Sequence, residues 1–497
     1  MAGSIPRNAT VAVIQVVVVG VVLFFLYRFL LTEIGAARLG IWSVVMATVS
    51  TSKFAQLGFS GSTIKYVAKH LALDDTKTVS RSIQTALVST AVAVAVICIL
   101  AYPLLRWMLT LFMPDEGIED ALNLLPILLI SLWLSSMAGI FQASLDGCQR
   151  IDARGYLMIS SYIFYYGVAV WFVGDFGLEG LAYAQIIHNG FLFLAGWYVL
   201  KRIMRYLPVV PFRWYAQQFR EMFQYGVKFQ FVSLIQMLYE PVTKLLLTNF
   251  GGLALAGYYE MANRMILQLR SLFVAGNQVL VPVIAEAHER DGEDARRIYR
   301  KSYAITLLLS APFFCVTIAM VPAISIAWIG RYEPAFVGSA IILSVAWWIN
   351  TMSAPAYFSY LGQGKLQWPM IGYAVIALIN VVFGYTLGLF LDGTGPIAGW
   401  SIALVVGGVV VTIAFAKEHS VPFMELIPRE SIAMLLASVF IAGASLAIYY
   451  ETRSGLLEAA FVLCASLALA FVFVRFHPFG KNVSRFIRHK LKIASTT

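Results

Sequence analysis

The sequence predicts an all-α polytopic membrane protein with about 14 transmembrane helices. They form two pseudo-symmetric six-helix lobes in parallel repeat, followed by two extra C-terminal helices. Three observations predict this. The chain of 497 residues is 60% hydrophobic and 12% charged, with a mean hydropathy of +0.78. That is more apolar surface than a water-soluble globule needs. Apolar runs of about 18 residues or more recur along the whole length, each long enough to cross a bilayer. Finally, a stretch of the first half returns in the second, at an offset of about 216 to 217 residues.

The repeat is legible residue by residue. Arg28-Phe29-Leu30-Leu31-Thr32-Glu33-Ile34-Gly35 falls on Lys244-Leu245-Leu246-Leu247-Thr248-Asn249-Phe250-Gly251. After one inserted glycine, Gly252, Gly40-Ile41-Trp42 falls on Gly257-Tyr258-Tyr259, and Lys53 falls on Arg270. Leu145 falls on Leu361, and Leu181-Ala182 on Ile397-Ala398. A duplicated apolar unit of this size reads as a transporter with two parallel repeats related by an axis along the membrane normal.

The N-lobe, residues 1–200, holds spans 10–31, 40–62, 83–112, 121–144, 155–174 and 178–200. The first run is too long for a signal-peptide core and no small-residue cleavage site follows it, so it is read as a retained helix. Gly58 and Gly61 interrupt the second span. Acidic turns separate the third span from the fourth (Asp115-Glu116 with Glu119-Asp120) and the fifth from the sixth (Asp175 with Glu179). A basic, aromatic linker follows over 201–225, with Arg202, Arg205, Trp214 and Arg220, broken by Pro208 and Pro211. It predicts an amphipathic segment lying on the inner leaflet. The C-lobe, 226–416, holds spans 226–249, 253–283, 302–329, 335–361, 367–391 and 395–416. Pro241, Pro282, Pro312 and Pro355 mark kinks or hinges there. Spans 431–450 and 456–475, within an accessory region 417–478, have no counterpart in the first half. The basic tail, 479–497, is expected to contact anionic lipid.

Most of the 36 Lys and Arg fall in the loops on the N-terminal side of these spans. This predicts a multi-pass protein of the cytoplasmic (inner) membrane with both termini in the cytoplasm. The net charge of +10 is then a topology signal and does not point to a nucleic-acid partner. The sequence offers no catalytic signature: no Gly-rich Walker loop with its lysine, no His-Glu-x-x-His and no Gly-x-Ser-x-Gly. Cys98, Cys148, Cys315 and Cys464 show no metal-ligand spacing, and the histidines lie singly, with only His188 well inside a span. No metal or cofactor is expected.

The informative residues are charges within spans, where burial costs roughly 2.5 to 3.5 kcal/mol on insertion scales. Five cations qualify: Arg28, Lys53, Lys244, Arg264 and Arg270. Only Glu240 and Glu260 oppose them deep in helices. Glu240 precedes Lys244, and Glu260 precedes Arg264, at the i,i+4 spacing of intrahelical ion pairs. Lining of a substrate cavity and structural pairing are both consistent with these cations, with interfacial snorkelling also open for Arg28 and Lys244. The excess is cationic and suits an anion. Arginine matches phosphate through its planar fork, while lysine acts as a point charge. Tyr162 and Tyr166 on the fifth span, and Trp347 near Asn350 on the tenth, are candidate sugar contacts or helix-interface aromatics.

The segment from Gly35 to Leu71, with Ile34-Gly35, Gly40-Ile41-Trp42, Gly58-Phe59-Ser60 and Tyr66-Val67-Ala68, resembles the start of the polysaccharide-transporter family. The segment from Tyr225 to Glu286 resembles the start of that family's second lobe. These are the oligosaccharide-lipid flippases of the multidrug/oligosaccharidyl-lipid/polysaccharide (MOP) superfamily. The resemblance implies two six-helix lobes and movement of an undecaprenyl-pyrophosphate-linked oligosaccharide from the inner to the outer leaflet by alternating access. Its implied partners are that lipid-linked substrate, membrane lipids, and the polymerase and assembly proteins of a surface polysaccharide. The related lipid II flippases use arginines on helices one, two and eight, where this chain carries Arg28, Lys53 and Arg264 or Arg270. The alternative on the same fold is a cation-coupled drug or metabolite exporter, which would want buried carboxylates.

Overall fold

The computed structural model describes residues 5–52, 58–237, 239–278, 280, 284, 292–426 and 429–476. Lys53, Pro282 and the basic tail 479–497 lie outside them. Among the described residues the chain is helical throughout: α1 (Ile5–Glu33), α2 (Gly35–Ser50), α3 (Phe59–Ala72), α4 (Thr76–Phe112), α5 (Asp115–Gly147), α6 (Ile151–Ile203), α7 (Ala216–Met237) and α8 (Tyr239–Gln278). There follow α9 (Gly292–Ile329), α10 (Pro334–Thr351), α11 (Ala354–Gly362), α12 (Gln367–Leu391), α13 (Thr394–Glu418), α14 (Phe423–Leu426), α15 (Arg429–Thr452) and α16 (Gly455–Phe476). Nine helices among the described residues are long and apolar enough to cross a membrane, and the shorter Gly35–Ser50 and Gly455–Phe471 are apolar too.

Three differences from the predicted spans have local causes. The second span breaks between α2 and α3, where Gly58 takes φ 69°, a left-handed conformation that glycine adopts without a Cβ penalty. The fifth and sixth spans run on as one element of 53 residues, α6, folded back at Gly177 (φ 56°, ψ −127°). The tenth breaks at Met352 and Ser353, and α11 restarts with Pro355 in its first turn, where the missing proline N–H would be unbonded anyway. Within the linker, 201–225, α7 begins at Ala216.

The helices group into two compact units. Unit 1 comprises Met1–Gln268 and Tyr373–Ala403. Its core lies where α3, α4, α5 and α6 meet, around Phe59, Ile83, Phe141, Leu145, Leu157 and Leu192. Apolar side chains such as Ile99 and Trp171 stand exposed on its outside, as lipid contact requires. Unit 2 comprises Leu269–Gly372 and Leu404–Thr497. Tyr299, Tyr360 and Phe415 pack at its centre, with the Tyr299 and Phe415 ring centroids 4.3 Å apart and Tyr360 edge-on to Phe415. Ala319, Ala442 and Val462 join α9 to α15 and α16. The two accessory helices thus pack within unit 2.

Candidate functional site

The site of unit 1 is built from two helical hairpins. The first turns between α1 and α2 at Gly35, with φ 79°. The second turns inside α8 at Gly252, with φ 75° and ψ 174°. Each hairpin needs one residue at positive φ, and glycine supplies it at least cost. The turning glycines therefore match Gly35 with Gly252. This moves the repeat register of the preceding helix by one residue, so Tyr27, rather than Arg28, takes the place of Lys244. Tyr27 is buried and Arg28 is exposed, as that register requires.

The hairpins meet backbone to backbone at the repeat-matched pair Gly40 and Gly257. A Cβ on Gly40 would lie 2.0 Å from the Leu253 carbonyl oxygen, and one on Gly257 would lie 2.1 Å from that of Ala36. Only glycine permits this reciprocal crossing, the membrane-helix device of small residues at a close approach.

The crossing brings four residues together, each equally far along the chain from its own turning glycine: Tyr27, Ser43, Lys244 and Glu260. Glu260 is at their centre. Its Oε1 accepts from the Tyr27 hydroxyl at 3.1 Å and from Arg264 Nε at 2.6 Å. Its Oε2 accepts from the Ser43 hydroxyl at 3.2 Å and pairs with Lys244 Nζ at 2.8 Å. A carboxylate offers about four lone-pair sites, and all are engaged. The Lys244 ammonium is equally complete, since it also donates to Glu240 Oε1 at 2.5 Å and to the Ser43 carbonyl at 3.3 Å. Its three protons have three acceptors.

Glu240, Lys244, Glu260 and Arg264 thus form one row of alternating charge. The middle pair is closed off, with both side chains 1% exposed. The ends are open, since the Glu240 and Arg264 side chains are each 41% exposed. The row sums to zero, so the cationic excess read from the sequence does not reside in it. What it presents is polarity: a carboxylate at one end and a guanidinium at the other. Among the described residues the terminal nitrogens of Arg264 take no partner, because only its Nε reaches Glu260. The fork is held from behind and open in front.

Tyr162 and Tyr165 of α6 lie within electrostatic reach of that guanidinium. Tyr165 stacks on His188 at 4.8 Å between centroids, and Tyr162 tilts against it at 5.3 Å. His188 is buried, and neither ring nitrogen has a hydrogen-bond partner among the described residues. Tyr166 is partly buried on the same helix. Sequence reasoning missed Tyr27 and Ser43 as site residues. The signal for both was the repeat register counted from the turning glycine.

Unit 2 brings together three further candidates. Arg270 lies over the Trp347 ring at 4.3 Å and donates to Asn350 Oδ1 at 3.2 Å. Asn350 in turn donates to the Leu404 carbonyl at 3.0 Å, which fixes its amide. A guanidinium on an indole face is a cation–π contact.

Residues 28–333 match the family described as polysaccharide biosynthesis protein. Among solved structures the chain is similar to lipid II flippase MurJ in an inward closed conformation, at 13% identity and a TM-score of 0.71, covering 94% of this chain and 98% of that one. It is also similar to an inward-facing multidrug resistance MATE family transporter of the MOP superfamily, at 13% identity and a TM-score of 0.64, covering 80% and 94%. A MOP superfamily transporter from Pyrococcus furiosus, described as having a binding pocket of reverse polarity, gives 16% identity and a TM-score of 0.56, covering 83% and 93%. At these identities the likeness is one of fold. Nothing matches among curated proteins.

Proposed function

The chain belongs to the polysaccharide biosynthesis protein family, and from that premise we propose that it is a flippase for a polyprenyl-pyrophosphate-linked oligosaccharide. It carries its substrate from the cytoplasmic to the outer leaflet by alternating access, with both termini in the cytoplasm. The observation that carries this reading is the Arg264 fork, anchored through Nε by the buried Glu260 and, among the described residues, open at both terminal nitrogens. A planar guanidinium fixed in this way suits the paired oxygens of a phosphate, and the little entropy it loses on binding favours recognition of that shape. In unit 2, Arg270 over Trp347 is a separate guanidinium candidate; the candidates for sugar contact are Tyr162 and Tyr166 in unit 1 and Trp347 and Asn350 in unit 2. An inside-negative potential favours outward movement of an anion by about 2.3 kcal/mol per charge per 100 mV.

A second reading, a cation-coupled exporter, is favoured by one observation. Glu240 is 41% exposed, and its Oε2 takes no partner among the described residues, so a cation has a carboxylate oxygen to meet. A leaflet-resolved assay in proteoliposomes separates the two. Protein-dependent translocation of a pyrophosphate-linked polyprenyl oligosaccharide supports the flippase. Transport restricted to organic cations, coupled to a proton or sodium gradient and lost in Glu240→Gln, overturns it in favour of the exporter.

A further inference from the structure

Away from the charge row, unit 1 carries a cavity of about 490 Å³ between the start of α4 and the segment joining α6 to α7. Thr76, Lys77, Ser80 and Arg81 form one wall, and Arg213 and Tyr215 the other. Three cations line it together with several hydroxyls, and no carboxylate is among its described lining residues. The α4 N-terminus itself is capped by Asp75, whose carboxylate accepts from the Thr78 amide at 3.0 Å, so the positive field of the cavity comes from the three cations.

The walls are fixed before any ligand arrives. The Arg213 amide donates to the buried Gln84 Oε1 at 3.3 Å, and Gln84 Nε2 donates to the Ser80 hydroxyl at 3.0 Å. The Tyr215 amide donates to Thr85 Oγ1 at 3.3 Å, and Trp214 Nε1 to Ser89 Oγ at 3.1 Å. Arg81 rests over the Tyr215 ring at 5.2 Å. The connecting segment is thus tied along α4, and Arg213 is presented into the cavity opposite Arg81. The Tyr206 phenol, neutral at neutral pH, lines the rim as a further donor.

The surroundings say where the anion comes from. Beside the cavity the same segment exposes Val209, Val210, Phe212 and Trp214. The segment follows α6, which is long and apolar enough to cross a membrane, so these side chains sit where the hydrocarbon ends and the headgroups begin, a level that suits tryptophan. Next to it, Tyr198, Lys201, Arg202 and Arg205 line a second cavity of about 450 Å³, again without a carboxylate among the described residues.

We propose that the cavity between α4 and the connecting segment binds the phosphate headgroup of an anionic membrane lipid, with the lipid chains lying along Val209, Val210 and Phe212. The phosphate sits between Arg81, Arg213 and Lys77, with the Ser80 and Thr76 hydroxyls as further donors. This assignment does not depend on which substrate the protein transports.

The test is lipid titration of the purified full-length protein in phosphatidylcholine nanodiscs, using short-chain phosphatidate and short-chain phosphatidylcholine as probes. Phosphatidate is expected to bind at least tenfold more tightly, and Lys77→Gln/Arg81→Gln/Arg213→Gln to remove that preference. Arg81→Lys/Arg213→Lys, which keeps the charge, is expected to retain most of it and controls for folding. Arg296→Gln/Arg300→Gln, which removes the surface pairs to Glu425, is expected to leave it unchanged. Competition by inorganic pyrophosphate would assign binding to the phosphate group alone. Loss in the triple variant without such competition would assign it to a headgroup held at the membrane surface. Equal affinity for the two lipids, or an undiminished preference in a folded triple variant, would overturn the proposal.

Discussion

The two hairpins of unit 1 share a backbone and differ in chemistry. Both turn on a glycine at positive φ, Gly35 in one and Gly252 in the other, and both present a glycine to the crossing, Gly40 and Gly257. At equal distances from those turns the first hairpin places Tyr27 and Ser43, and the second places Lys244 and Glu260. One helical turn further on, the first has Leu23 and Ala47 where the second has Glu240 and Arg264. The first copy therefore supplies neutral donors and apolar walls, while the second supplies the whole alternating row of charge. Duplication has kept what the fold needs, the close crossing, and let the polar positions diverge. A buried charged row becomes tolerable because the neutral copy satisfies it, with Tyr27 and Ser43 completing the shell of Glu260.

That comparison can be broken at its weakest points. The largest expected effect is from Lys244→Met. It leaves Glu260 buried without its ammonium partner, and breaking a buried pair from one side costs roughly 3–5 kcal/mol. A fall in melting temperature measured by thermal denaturation in detergent checks this. Adding Glu260→Gln should recover part of the loss, because the orphaned charge is then gone. An unchanged melting temperature in Lys244→Met would mean that the row contributes nothing to the fold.

Next comes Gly257→Val. The new side chain meets the Ala36 carbonyl, which is backbone and cannot swing aside. Overpacking of this kind costs about 1–3 kcal/mol, and a lower melting temperature with poorer monodispersity is expected. Gly61→Ala is the matched control, since nothing lies within 4 Å of its new methyl. Equal effects of the two would remove the crossing from the account. The smallest effect is that of Ser43→Ala, which deletes one hydrogen bond to Glu260 at a cost of about 1 kcal/mol. It sharpens the comparison, because it asks whether the neutral copy stabilises the charged one. A double-mutant cycle with Glu260→Gln should show coupling, and strict additivity would argue against it.

Much of this was legible in the sequence, and what was hidden was hidden for physical reasons. The i,i+4 spacing of Glu240 with Lys244, and of Glu260 with Arg264, follows from helical period alone. The link from Lys244 to Glu260 does not. It needs the chain to fold back at Gly252, and the sequence offered the adjacent Gly251 as an equally good turning point. That ambiguity moved the register by one residue and set Arg28, not Tyr27, opposite Lys244. The crossing at Gly40 and Gly257 was visible as a matched pair, yet its meaning depends on backbone proximity that no periodicity encodes. The grouping of Arg270, Trp347 and Asn350 joins two helices far apart in sequence, and the fixing of Asn350 by the Leu404 carbonyl joins a third. The apolar spans themselves were readable because a bilayer demands one composition along a whole helix.

The most direct test of the central claim is leaflet-resolved translocation of a pyrophosphate-linked polyprenyl oligosaccharide by wild type, Arg264→Lys and Arg264→Gln in proteoliposomes. All three would first be matched for insertion and melting temperature. If the open fork of Arg264 recognises phosphate, Arg264→Gln should lose at least tenfold in rate. Arg264→Lys should fall between that and wild type, since it keeps the charge and loses the fork. Wild-type rates in Arg264→Gln would contradict the account and leave the charge row as scaffolding alone.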